Sequence, residues 1–104
     1  MTLSLLRLED LKKSSFDPFV EQKFLIHLGP SERLEVELVG ISEMKCQRTE
    51  SFSLLFKGPS DKVVPQRIYR MEHPEMGTLE LFLAPVMVAG DPGMHYEAVF
   101  NRLI

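Results

Sequence analysis

The sequence holds a single cysteine, Cys46, and no tryptophan among its 104 residues. A lone thiol excludes an intrachain disulfide and a four-cysteine zinc site. Long apolar runs are missing as well. The stretch from Leu79 to Val88 is interrupted by Glu80 and Pro85, far short of the ~20 apolar residues that span a bilayer. Excess positive charge is absent too. Twelve lysines and arginines face 15 aspartates and glutamates, a formal charge of −3, with no basic cluster. That balance argues against a nucleic-acid footprint. The opening Met1–Arg7 is apolar without a positive leader, and Arg7, Glu9 and Asp10 cut it short, so no signal peptide is expected. The expected setting is the cytoplasm, with no membrane and no nucleic-acid partner.

Catalytic apparatus is equally scarce. The six glycines are scattered at turns, with no phosphate-cradling loop, and no Gly-x-Ser-x-Gly motif occurs. Cys46 lies in the polar stretch Met44-Lys45-Cys46-Gln47-Arg48 with no positioned base, which reads as an incidental thiol in a connection. Glu35 and Glu37, Glu72 and Glu75, and Glu80 and Glu97 form carboxylate pairs. All fall on polar faces or turns, where arginine and lysine partners explain them better than acid-base work. No catalytic, cofactor-binding or metal-ligating residue is assigned, and the chain is not expected to be an enzyme or to carry a cofactor.

What is present is a globular composition, 44% hydrophobic and 26% charged, suited to one domain over residues 1–104. Leu5, Leu8 and Leu11 recur at helical spacing, with Ser4 as a candidate cap. A break at Ser14-Ser15 then precedes a helical turn capped by Ser15, which would dock Phe16, Phe19 and Val20 onto the core. Residues 4–20 thus form an N-terminal helical segment. From residue 22 to 101 the period changes to two. Phe24, Ile26 and Leu28; Leu34, Val36 and Leu38; Phe52, Leu54 and Phe56; Tyr69 and Met71; Leu79, Leu81 and Leu83; and Tyr96, Ala98 and Phe100 mark six half-buried strands. The predicted fold is all-β with a minor helical part: a six-stranded antiparallel barrel or rolled sheet behind an N-terminal helix.

In an up-and-down meander, 42–50, 59–66 and 87–94 are the longer links, and Pro74 and Gly77 shape a tight turn between strands 4 and 5. His27 and His95 would share one rim, beside Asp61 or Asp91, and His73 would occupy the other. One ion cannot reach all three, since strands of about nine residues separate the rims by roughly 30 Å. His27 and His95 alternate out of phase with the apolar set, so both are expected to point outward.

The apolar content exceeds what one sheet face can bury. Leu25, Val39, Ile41, Leu55, Ile68, Phe82 and Val99 all fall out of phase with the core set. Either the N-terminal helix covers them, or plugs a barrel end, or they form a contact surface. Leu25, Leu55, Ile68, Phe82 and Val99 are the candidate interaction surface.

The strings Phe52-Ser53-Leu54-Leu55-Phe56-Lys57-Gly58-Pro59, Tyr69-Arg70-Met71-Glu72-His73-Pro74-Glu75-Met76-Gly77 and Met94-His95-Tyr96-Glu97-Ala98-Val99-Phe100-Asn101 carry a resemblance. With Phe16-Asp17-Pro18-Phe19-Val20, they resemble an uncharacterised bacterial family, a β-rich domain of unknown function of about this length. The resemblance implies occurrence beside phage-tail-like genes and hence an accessory or assembly role. It supplies no functional residues. Two functions follow as expectations. One is a non-enzymatic interaction or assembly module that binds another protein or itself. The other is a small-ligand-binding barrel lined by Phe24, Phe52, Phe56, Tyr96 and Phe100. Six strands normally leave an interior filled by side chains, which favours the first.

Overall fold

The computed structural model describes residues 11–47 and 49–103. Six antiparallel strands form one sheet: β1 (Lys23–His27), β2 (Arg33–Cys46), β3 (Thr49–Gly58), β4 (Arg67–His73), β5 (Gly77–Val88) and β6 (Asp91–Leu103). They close in a ring in the order β1-β2-β3-β6-β5-β4, with β4 returning to β1. The alternating apolar residues turn inward as their period requires. Phe24, Ile26, Leu38, Leu54, Phe56, Met71, Leu79, Leu83 and Tyr96 are fully buried.

Long strands let so short a chain close. β2 pairs with β1 through Arg33–Glu37 and with β3 from Glu37 onward. β5 likewise pairs with β4 over Gly77–Leu83 and with β6 from Ala84. Each of these strands therefore turns a corner of the ring and serves two neighbours in succession.

This order corrects the simple meander. Strand 1 borders strand 4, not strand 6, so His27 and His95 are not on adjacent strands. Two of the expected long links are also tight hairpins. Strand pairing continues through Cys46 and resumes at Thr49, and only Ala89-Gly90 separates β5 from β6, with Gly90 at φ +82°. Cys46 is thus a strand residue. The one true crossover is 59–66, which carries the chain from β3 to β4 past the strands between them.

That crossover closes one end of the ring. Val64 is buried, and its amide donates to the Tyr96 hydroxyl at 3.1 Å, which donates in turn to the Lys62 carbonyl at 3.4 Å. The Tyr69 hydroxyl donates to the Pro65 carbonyl. Tyr96→Phe leaves the buried Val64 amide without its acceptor, an expected cost of about 1–3 kcal/mol. Urea unfolding of the variant checks this, and an unchanged midpoint would mean the crossover does not depend on that bond.

The N-terminal segment closes the other end. A single helical turn, α1 (Lys13–Phe16), runs into a 3-10 turn over Asp17–Phe19. The helix starts one turn earlier than the break at Ser14-Ser15 implied. Lys12 is its N-cap, and the Ser15 hydroxyl accepts from the Lys12 amide at 3.1 Å while the Ser15 amide donates to the Lys12 carbonyl. Phe16 is fully buried between Phe52 and Phe100, with ring centroids 6.0 and 5.7 Å away. Phe19 packs on His73. Val20, expected to dock, stands exposed, because the chain turns extended there to enter β1. Leu11 is buried in the same core; Leu5 and Leu8 of the predicted helix lie outside the described residues. Among those residues no helix is long and apolar enough to cross a membrane.

Candidate functional site

The five residues of the predicted contact surface fall in three places. Ile68 and Phe82 are direct cross-strand partners of β4 and β5 and stand 63% and 51% exposed, so they form one outward apolar pair. Leu55 and Val99 are diagonal neighbours on β3 and β6: Leu55 pairs with Glu97, and Val99 with Ser53. Val99 is exposed and Leu55 half-buried. Leu25 is separate. Its partner on β2 is Glu35 and its partner on β4 is Glu72.

Two other out-of-phase residues are corrected by a bulge. The β2 register shifts between Leu38, which pairs with Phe56, and Gly40, which pairs with Leu55. The extra residue inverts the alternation, so Ile41 comes opposite buried Leu54 and packs against the core. Ile41 therefore leaves the outward set, and Val39, at the bulge itself, is half-buried.

Around Leu25 lies a cleft of about 510 Å³ on the outside of the ring. The turn His73–Gly77 builds one wall, with Pro74 and Met76 presenting apolar surface. Gly77 leaves that turn at φ +95°, a conformation open to glycine without strain. Glu35, Glu72 and Glu75 surround the opening with Lys23. Lys23 is shared by Glu35 and Glu37 at 3.8 and 3.5 Å. Glu72 is held by His27, with Arg33 at 3.8 Å.

His73 fixes the wall. Its Nδ1 accepts from the amides of Glu75 and Met76 at 3.0 and 3.3 Å, which places the ring proton on Nε2, donating to Gln22 Oε1 at 2.7 Å. The rings of Phe19 and Phe24 pack on the imidazole, with centroids 4.6 and 4.8 Å away. Burial lowers its pKa, against the weaker pull of Glu75 in the other direction. One neutral imidazole thus ties together the N-terminal segment, β1 and the β4–β5 turn.

His95 corrects the expectation of outward histidines. It is buried: β6 carries two extra residues between Asp91, which pairs with Val88, and His95, which pairs with Val86, and this segment lies against its imidazole ring. Nδ1 donates to the Gly93 carbonyl at 3.0 Å, and Nε2 lies 3.2 Å from Asp91 Oδ2. The Gly93 amide, then Lys57, hold the Asp91 carboxyl below its ordinary value. With both ring nitrogens occupied, this group pins the β5–β6 hairpin. The three histidines occupy three separate settings, and among the described residues no three His, Cys, Asp or Glu side chains converge on a metal position.

Four of the five aromatic residues proposed to line an interior cavity pack in pairs. Phe24 meets Phe56 edge-on at 5.4 Å, and Phe52 stacks on Phe100 at 4.5 Å. The cleft at Leu25 is lined by none of these five. Sequence reasoning found Leu25 but not the cleft. Its one local signal was the turn-forming Pro74 and Gly77; the approach of β1 to β4 has none.

Taken together, a closed antiparallel ring with both ends plugged and its concave surface outside the sheet defines a small all-β domain. The chain belongs to the family described as Domain of unknown function (DUF6916), whose model matches residues 11–100. Comparison with curated proteins and with solved structures gave no match.

Proposed function

We propose that the chain is a non-enzymatic interaction or assembly module of the cytoplasm that binds protein, another chain or a second copy, through the outside of its ring. The observation that carries this reading is the Ile68–Phe82 pair. Two large apolar side chains stand adjacent in water. Isolated exposed apolar residues are common on any protein surface, but a cross-strand pair of them concentrates transferable area at one spot. The resemblance to a family implied to occur beside phage-tail-like genes fits an assembly role. The histidines support the non-enzymatic reading, since the ring nitrogens of His73 and His95 are engaged in bonds that hold the fold.

Affinity capture from the native host tests it, comparing the natural chain with Phe82→Glu and Ile68→Glu. Both positions are exposed, so each variant is expected to keep its stability within about 0.5 kcal/mol. A partner retained by the natural chain and lost by both variants is the expected result; equal recovery would reject this face. Light scattering on the same three proteins separates the partners. A dimer that becomes a monomer in Phe82→Glu identifies the second copy as the occupant.

A further inference from the structure

We infer that the cleft at Leu25 receives an extended segment of a partner protein in which an apolar side chain is flanked by lysine or arginine. The inference rests on the interaction reading and names a second docking place with its own chemistry. The floor is apolar: Leu25 is 38% exposed, and Pro74 and Met76 stand beside it. The surroundings are acidic. Leu25 lies between Glu35 on one neighbouring strand and Glu72 on the other, and Glu75 stands exposed on the turn. Among the residues that line the cleft, Glu35, Glu72 and Glu75 face one full cation, Lys23. At its margin Glu37 sits between Lys23 and its cross-strand partner Lys57, and Glu72 has His27 and Arg33 beside it.

An apolar side chain entering this space would be dehydrated by Leu25 and Met76, and a cation beside it would meet the excess carboxylates. An acidic segment would meet repulsion instead, which gives the cleft a basis for choosing partners. Its volume of about 510 Å³ falls within the range of small ligand sites. The wall is also preorganised, since His73 holds the amides of Glu75 and Met76, so little ordering cost falls on binding.

The test uses three labelled hexapeptides on the full chain: Leu between lysines, Leu between glutamates, and Ser between lysines. Fluorescence anisotropy is expected to show the lysine-flanked Leu peptide binding at least ~5-fold tighter than either control, weakening as salt rises. Amide shifts are expected at Leu25 and Met76. Leu25→Ser and Glu75→Lys should each abolish the preference; both change exposed side chains and leave the Glu75 amide bond to His73 in place. Equal binding of the three peptides, binding of none, or shifts at Ile68 and Phe82 instead would overturn the inference. Partner capture that depends on Phe82 would then still stand. Peptide binding here with capture indifferent to Phe82 would instead reject the outward pair and keep the cleft.

Discussion

Phe16→Ala is expected to destabilise the chain by about 3–5 kcal/mol, the range for truncating a buried aromatic ring. Against a typical total of about 5–15 kcal/mol, that loss leaves a marginal fold. The reason is geometric. Phe16 belongs to a helix of one turn, too short to be stable alone, so its position comes from packing against Phe52 and Phe100. Removing the ring opens a void at the end of the barrel that two strands cannot collapse to fill without breaking their pairing, since Phe52 and Phe100 are themselves cross-strand partners. Val20→Ala, four residues on and exposed, is expected to stay within about 0.5 kcal/mol. Urea unfolding of both variants checks the contrast. Similar midpoints would mean that the N-terminal segment is not part of the cooperative core.

The second large effect is a loss of stability in mild acid that depends on His73. Burial lowers the pKa of its imidazole in the folded chain, whereas the unfolded chain takes up that proton near the ordinary value of about 6.5. Below pH 6.5 the unfolded state therefore binds more protons than the folded one, and stability falls as pH falls, levelling off beneath the folded value. Protonation would put a hydrogen on Nδ1, which now accepts from the Glu75 and Met76 amides, so both bonds of the turn would be lost. Equilibrium unfolding of the natural chain and of His73→Leu from pH 8 to pH 5 isolates the contribution. The variant is expected to be weaker at pH 8 by about 1–3 kcal/mol, having left turn amides unpaired, yet to show a shallower fall in acid. Equal slopes would show that His73 is not the group that titrates.

Six strands were legible in the sequence because alternation is written residue by residue. Phe24, Ile26, Val36, Leu54, Leu81 and Ala98 lie inward where the period of two places them. Failures cluster where an extra residue breaks the period. The bulge at Val39 carries Ile41 to the core side, and the extra residues ahead of His95 bring Asp91 and Gly93 against its imidazole ring. For the bulge, the adjacent Gly40 is the one local signal, since a glycine inside a strand often marks a bulge, and alternation alone does not read it. The candidate surface was legible only as a list. Whether Leu25, Leu55, Ile68, Phe82 and Val99 meet depends on strand order, and the order divides them into two neighbouring pairs and Leu25 alone.

What the scarcities of the sequence determined stands by itself: one lone thiol, no apolar span, no basic stripe, and more apolar residues than one sheet face requires. These follow from composition and from which face of a strand each side chain takes, a local property of the backbone. Tertiary structure alone decided that β4 closes on β1, that β6 lies between β3 and β5, and that Phe16 and Val64 plug the two ends. Strand edges pair through backbone amides and carbonyls, which are the same in every residue but proline. The choice of neighbour is therefore made by the packing of the whole ring, and with it the cleft between Leu25 and the turn at His73.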